Sequence, residues 1–213
     1  MQLIPGLKEQ WLNLTAQYTT DEPLLLQEFD HLTTHYSTIN RFYHNLQHIH
    51  NLLLLQQQYA EDIKDHDTIG FAIFYHDLVY DVMKTDNEEE SALAAGRFLQ
   101  QTNVPVTQAE KIMNYIRATK SHDGNSPDND LLLFLDFDMA ILGSAPEEYQ
   151  QYAQQIRMEY NSYNDTAYNM GRTKVLQHFL QMPHIYSTET FRNKYEQQAR
   201  ENINAELAAL KTT

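Results

Sequence analysis

The sequence has no cysteine, few glycines and prolines, and no long apolar run. Each of these shortages argues against particular kinds of site or structure. With zero Cys, disulfides, zinc–thiolate sites and cysteine nucleophiles are all excluded. Gly and Pro number six each, which indicates many helices and few turns. The longest apolar runs, residues 52–55 and 131–135, fall far short of the ~20 residues that a membrane-spanning helix needs.

Basic residues are also scarce: 15 Lys and Arg stand against 29 Asp and Glu, and the formal net charge is −14. Such a chain lacks the clustered cations that neutralise phosphates, so a nucleic-acid polymer is not an expected partner. The same charge disfavours anionic membrane surfaces. The stretch of residues 1–8 lacks the charged start and the apolar core of a signal peptide, and the expected location is the cytoplasm.

The sequence does contain enough apolar material for a core, because 42% of its 213 residues are hydrophobic. Apolar residues recur at helical spacing in one segment after another, and no alternation typical of strands stands out. We therefore expect an all-α fold, a single bundle of about nine or ten helices that forms one domain over residues 1–213.

Two predicted helix ends carry specific signals. Thr107 and Glu110 have the spacing of a capping box, which would start a helix at Thr107. Gly143 follows an apolar helix predicted over residues 131–142, and we expect it to be a left-handed cap.

Ten histidines in so acidic a chain are the feature that most needs a chemical explanation. His44 and His48 lie four residues apart in a segment predicted to be helical from about Asn40, which would place both on one face. His76 and Asp77 interrupt an otherwise apolar helix. Burying an ionised aspartate without a partner costs several kcal/mol, so this pair needs a cation, hydrogen bonds or water.

A third cluster repeats this pattern, since Asp136 and Asp138 lie among Leu and Phe residues with no Lys or Arg nearby in sequence. A divalent metal would supply the missing positive charge to all three clusters at once. Each cluster also has a structural explanation of its own: a His pair can be solvated, a His-Asp neighbour pair is common, and an aspartate can be satisfied by hydrogen bonds. The coincidence of the three favours the metal.

In this order, the residues resemble the His…His-Asp…Asp signature of the HD superfamily of predicted metal-dependent phosphohydrolases, which have a helical fold. The metal ligands that this resemblance implies are His48, His76, Asp77 and Asp138. It favours His48 over His44 because the family's first ligand is usually followed four residues later by an apolar residue, here Leu52. It favours Asp138 over Asp136 because an apolar stretch follows Asp138.

Two narrower likenesses add detail. Residues 44–48 are similar to the His-Asn-x-x-His of cyclic-nucleotide phosphodiesterases, a branch of the same superfamily, which implies that His44 is a general acid. Roughly residues 41–202 resemble a compact bacterial subfamily of predicted HD phosphohydrolases. The stretches that carry this likeness are 43–45, 75–81, 87–89 with 91–92, 118–120 with His122, and 171–172 to 179–180.

The resemblance implies a phosphohydrolase that acts through a metal-activated water on a small phosphorylated molecule, either a nucleotide or a phosphomonoester or diester. His44 and Asp77 would have catalytic roles. Two imidazoles and two carboxylates suit one divalent ion, or two, of Mn, Fe, Co, Ni, Zn or Mg. The candidate substrate-binding residues are Lys120, His122 and Arg172. Asp81 and His122 are alternatives as ligands of a second ion, and a surface role explains both equally well.

The HD-like core would occupy about residues 40–145, and helices over about residues 146–211 would pack on it. The last helix carries an apolar stripe, so the oligomeric state stays open and includes a homodimer. Three other hypotheses also stay open. The protein can be a catalytically silent helical ligand-binding module that contains a metal, an oxygenase with a two-iron site and more than four ligands, or a helical scaffold with no metal.

Overall fold

A computed structural model describes residues 3–211; the two residues at each end, including Met1 and Gln2 of the N-terminal stretch discussed above, lie outside the described residues. Within residues 3–211 the chain forms ten α-helices and no strand, which confirms the predicted all-α class. None of the helices in this range is both long enough and apolar enough to cross a membrane. The helices are α1 (Leu3–Thr15), α2 (Glu22–Tyr36), α3 (Leu46–Gln58), α4 (His66–Tyr75), α5 (Asn87–Leu99), α6 (Val106–Ala118), α7 (Asn129–Met139), α8 (Pro146–Glu159), α9 (Asp165–Gln181) and α10 (Glu189–Leu210), with short 3₁₀ helices at Ala60–Asp62 and Ala140–Gly143.

Contacts divide the chain into two units, the first ending at Asp123 and the second beginning at Gly124. The first unit contains α1–α6 and the second contains α7–α10. The single domain expected from the sequence, with C-terminal helices packed on an HD-like core, stays a prediction.

The core of the first unit is built around Trp11 of α1, which is fully buried. Its ring meets Phe71 and Phe74 of α4 edge to face, at centroid distances of 6.1 and 5.3 Å, and Phe98 of α5 at 5.2 Å. The indole Nε1 donates a hydrogen bond to the Leu25 carbonyl at 3.0 Å, so the polar atom of this side chain is also satisfied. These contacts join α1, α2, α4 and α5.

Helix α4 is the central helix of the first unit, since residues 68–75 are all buried and α3, α5 and α6 pack against it. The helix begins after Asp65, whose carboxylate accepts hydrogen bonds from the Thr68 amide at 3.0 Å and from the Thr68 hydroxyl at 2.7 Å. Burial works to raise the pKa of Asp65, but these hydrogen bonds together with the nearby Lys111 ammonium outweigh it and hold the pKa below its ordinary value. Because neighbouring helices pack against α4 and Asp65 caps its start, α4 holds the residues at its carboxyl end in place.

In the second unit, the 3₁₀ helix Ala140–Gly143 packs against α10. The prediction that Gly143 is a left-handed cap is wrong, because no glycine among the described residues has a positive φ. Glycine is needed here for space: a Cβ at this position would lie 2.6 Å from the Cβ of Tyr195. Asn202 of α10 also joins this 3₁₀ helix to α10, because its side-chain amide donates a hydrogen bond to the Leu142 carbonyl at 2.9 Å.

The predicted capping box at the start of α6 is also wrong. The helix begins at Val106, directly after Pro105, and no side chain caps it. Pro105 has φ −56° and an extended ψ of 140°, so the proline itself provides the non-helical residue that precedes a helix. Thr107 therefore lies inside the first turn, two residues after the cap position that Pro105 occupies.

Candidate metal centre

His48 lies in the first turn of α3, which begins at Leu46 and not at about Asn40 as the sequence predicted. The helix starts there because Asn45 caps it: its side-chain oxygen accepts a hydrogen bond from the Gln47 amide at 2.8 Å. His48 is on the buried side of the helix and is itself buried. The imidazole of His48 is therefore shielded from solvent, and the first turn of α3 sets its position.

His76 and Asp77 directly follow Tyr75, the last residue of α4, whereas the sequence predicted them inside the helix. The His76 amide still donates to the Ala72 carbonyl at 2.9 Å, and its ring Nδ1 lies 3.0 Å from the Ile73 carbonyl. Because a carbonyl oxygen can only accept a hydrogen bond, Nδ1 is the donor, and the lone pair of the neutral ring lies on Nε2. The hydrogen bond to the main chain of α4 thus orients the His76 ring, so that Nε2 faces His48 and Asp77.

Three side-chain atoms of the first unit converge here: Nε2 of His48, Nε2 of His76 and Oδ2 of Asp77. The two ring nitrogens are 3.2 Å apart, and Oδ2 lies 3.0 Å from the nitrogen of His76 and 3.8 Å from that of His48. In the plane of the three atoms, the point equidistant from all of them is about 2.0 Å from each. This is the length of zinc–nitrogen and zinc–oxygen bonds in proteins. These residues can therefore hold a metal ion.

The charges and hydrogen-bonding capacities of the three atoms also fit a cation. Nε2 of His76 and the carboxylate oxygen of Asp77 can both act as acceptors, and Nε2 of His48 faces the two of them. A divalent cation can accept a lone pair from each of these three atoms at once. Two imidazoles and a carboxylate form a donor set that suits first-row divalent ions.

The prediction that His44 and His48 share one face of a helix is wrong, whereas the general-acid role of His44 stays a prediction. His44 comes before Asn45, the cap of α3, and therefore lies in the turn ahead of the helix. Its ring lies against that of Tyr80, with centroids 4.3 Å apart and a tilt of 31° between the ring planes. The ring centroids of His44 and His48 are 5.9 Å apart, so His44 still lies beside the candidate metal centre.

The two aspartates of α7 belong to the second unit. Asp136 is buried and accepts hydrogen bonds from the amides of Ser187 and Thr188, at 2.6 and 2.8 Å, and from the Thr188 hydroxyl at 2.6 Å. Burial raises the pKa of Asp136, although these hydrogen bonds oppose the shift. Asp136 thus holds the segment that starts α10. Asp138, in the last turn of α7, is half-buried, and its role as a fourth ligand stays a prediction.

The predicted substrate-binding and second-metal residues of the first unit lie near its surface. Lys120 is exposed; its amino group binds the Thr85 carbonyl and lies 3.9 Å from a carboxylate oxygen of Glu88. His122 is half-buried and has a positive φ of 48°, which is unusual for a residue with a side chain. Asp81 is exposed and its carboxylate accepts a hydrogen bond within the turn that follows it. The functional roles assigned to these residues stay predictions.

Arg172 of α9, the third predicted substrate-binding residue, is buried in the second unit and paired with Glu206 of α10. Its Nε and Nη2 donate to the two carboxylate oxygens at 2.7 and 3.1 Å. Burial works against the charged guanidinium, but Tyr152 and Glu206 keep the pKa of Arg172 well above its ordinary value. These contacts join α9 to α10, and the role of Arg172 in substrate binding stays a prediction.

Arg41 is a residue near the centre whose contacts the sequence did not reveal. In the structure its guanidinium donates hydrogen bonds to the main-chain carbonyls of His44, Asp77 and Leu78. Contacts between an arginine and backbone carbonyls 36 or 37 residues away leave no motif in a sequence, so no local signal identifies them.

Comparisons with protein-family models, with curated proteins and with solved structures found no match. The likeness to the HD superfamily therefore rests on the residues themselves and on the convergence of His48, His76 and Asp77 in the first unit. A helical protein with a His-His-Asp cluster that can hold a metal is compatible with an HD-type domain.

Proposed function

We propose that this protein is a metal-dependent phosphohydrolase that acts on a small phosphorylated molecule. The observation that carries the proposal is the convergence of His48 Nε2, His76 Nε2 and Asp77 Oδ2 within 3.8 Å of one another. The order of these residues along the chain matches the signature of the HD superfamily, which supports assignment of the protein to that superfamily.

The residues proposed to hold the metal are His48, His76 and Asp77, with Asp138 as the predicted fourth ligand. The donor set suits Mn, Fe, Co, Ni, Zn or Mg as a divalent ion. When bound, such an ion lowers the pKa of a water molecule and neutralises charge on a phosphoryl group. The Ile73 carbonyl holds the His76 ring in the orientation that ligation needs, through the hydrogen bond at Nδ1.

His44 is the proposed proton donor to the leaving oxygen of the substrate. An imidazole can hold a proton near neutral pH and transfer it to an oxygen within hydrogen-bonding distance. Contact with the Tyr80 ring limits the orientations open to the His44 imidazole. Lys120 and His122 remain candidate contacts for phosphate oxygens in the same unit.

The proposal is tested with protein loaded in turn with Mn, Co, Ni, Zn and Mg and offered an aryl phosphate and a panel of nucleotides. We expect metal-dependent hydrolysis by the wild-type protein. His76→Ala and Asp77→Ala should each abolish it while the far-ultraviolet circular dichroism stays at the wild-type value. Each removes one of the three convergent atoms, and the central helix α4 keeps its own hydrogen bonds.

His66→Ala is the matched control, because His66 is an exposed histidine at the other end of the same helix. It should keep the full wild-type rate. Hydrolysis that survives both His76→Ala and Asp77→Ala would refute the proposal, as would a wild-type protein that binds none of these metals.

A catalytically silent metal-containing ligand-binding module is the second candidate function. The observation that favours it is that His48 comes from α3 and His76 from the end of α4, so one ion would join two helices. In that case metal removal by a chelator would lower the melting temperature strongly, and no substrate in the panel would be turned over with any metal.

A further inference from the structure

We infer that Arg41 is a positioning residue of the candidate metal centre, holding the segment that carries His44 and His48 against the turn that carries His76 and Asp77. The inference rests on the proposed function in one respect, namely that the centre binds a metal ion. It assigns Arg41 no contact with the ion or with substrate.

The hydrogen bonds of Arg41 span the two segments. Nη1 donates to the His44 carbonyl at 3.0 Å and to the Asp77 carbonyl at 2.6 Å, and Nη2 donates to the Leu78 carbonyl at 2.7 Å. A guanidinium group is planar and carries its donors in a fixed fork, so it holds these three acceptors in one arrangement. A lysine ammonium has the same charge but no such fork.

Two tyrosine rings hold the guanidinium itself. Its Cζ lies 4.9 Å from the ring centroid of Tyr36 and 5.4 Å from that of Tyr80. The ring of Tyr80 also contacts the ring of His44. The clamp formed by Arg41, Tyr36 and Tyr80 therefore contacts both the main chain and the side chain of the residue proposed to donate a proton.

The clamp matters because the convergent ligand atoms come from separate elements. His48 belongs to the first turn of α3, while His76 and Asp77 follow α4, and their ligand atoms are only 3.0 to 3.8 Å apart. A shift of either segment by a fraction of an ångström would change the donor geometry that a metal ion meets.

The charge of Arg41 acts in the opposite direction to its positioning role. A positive charge near a metal ion repels it, so loss of that charge alone would tighten metal binding. Loss of the clamp would weaken metal binding. Substitutions at Arg41 can therefore separate the two effects by the sign of the change in affinity.

The experiment measures binding of Mn²⁺ and Co²⁺ to metal-free full-length protein by calorimetry, together with the visible spectrum of bound Co²⁺, which reports ligand geometry. The variants are Arg41→Lys, which keeps the charge, and Arg41→Gln, which removes it. Both should weaken metal binding by about 10- to 100-fold, the usual effect of losing a residue that orients metal ligands. Both should also change the Co²⁺ spectrum.

Arg200→Lys is the matched control. Arg200 makes contacts of the same chemistry in the second unit, where it donates to the carbonyls of Leu180, Met182 and Pro183 at 3.1, 2.9 and 3.2 Å. This variant should keep the wild-type metal affinity and Co²⁺ spectrum even where it lowers the melting temperature. A general loss of stability is thereby distinguished from a loss of positioning.

Unchanged affinity in Arg41→Lys, or tighter binding in Arg41→Gln, overturns the inference and leaves the proposed function standing. A wild-type protein that binds neither ion overturns the proposed function and this inference with it, so the two failures are distinguishable. If Arg41→Gln does not fold, as judged by circular dichroism, Arg41→Lys decides, since it retains the charge and most of the volume.

Discussion

Replacing Arg172 with methionine separates two roles for this residue, the phosphate contact predicted from the sequence and the ion pair seen in the structure. The side chains of Arg172 and Glu206 are only 8% and 9% exposed. Without the guanidinium, the buried carboxylate would keep its hydrogen bond from the Tyr149 hydroxyl, 2.5 Å away, but would have lost its counter-ion. Removing one partner of a buried ion pair costs about 3–5 kcal/mol, and we expect the free energy of unfolding to fall by about that amount.

The double variant Arg172→Met with Glu206→Gln should recover most of this loss. It removes both buried charges together, and replacing a whole buried ion pair is often nearly neutral for stability. With the Glu206→Gln single variant measured as well, the double variant's change minus the sum of the two single changes gives the coupling energy between the two side chains.

Urea unfolding is the assay, with two optical probes. Circular dichroism follows the helices of both units, while the fluorescence of Trp11, the only tryptophan, follows the first unit. The fall in the free energy of unfolding caused by Arg172→Met should be seen by circular dichroism. A loss of less than about 1 kcal/mol, the value typical of exposed ion pairs, would refute this reasoning. A higher KM for a phosphorylated substrate at unchanged stability would instead support the phosphate contact.

The remaining predictions concern stability. Gly143→Ala should lower the free energy of unfolding by about 1–3 kcal/mol in urea, because its Cβ would overlap Tyr195. Gly171→Ala on α9 is its control: nothing lies within 4 Å of the added Cβ, so it should raise stability, and equal losses at both glycines would contradict the steric explanation. The lowered pKa of Asp65 contributes stability that is present above the unfolded-state pKa of 3.8 and lost as the pH falls through the native value. Asp65→Asn should therefore be less stable at neutral pH and show a shallower acid loss in a series of melting curves, and a pH dependence identical to wild type would count against this assignment.

Local periodicity was sufficient to predict the all-α fold class, and local composition singled out the His-Asp pair. Helical spacing of apolar residues is repeated through the chain, so the all-α class could be read from short windows. His76 and Asp77 stood out because a carboxylate in apolar surroundings needs a counter-charge or hydrogen bonds, and this requirement does not depend on the neighbouring helices.

The details that failed depend on contacts between distant residues or on competition between nearby signals. Asn45 and Pro105 each started a helix at a residue other than the one predicted, because a stronger boundary residue lay a few positions away. Asp136 is satisfied by residues 51 and 52 positions later, and Arg172 by a carboxylate 34 positions later. No local pattern encodes such pairings, so the sequence could not reveal the distant partners that hold Asp136 and Arg172.

The position of His76 and Asp77 at the carboxyl end of α4 has an electrostatic consequence of its own. The aligned peptide dipoles of this ten-residue helix leave a partial negative charge at the end where these side chains lie. Such a charge favours a nearby cation by about 0.3–1 kcal/mol, or roughly two- to five-fold in affinity. Because it belongs to the backbone, it persists in every side-chain variant of the centre. Even a protein without the Asp77 carboxylate would therefore keep a weak attraction for cations at this helix end.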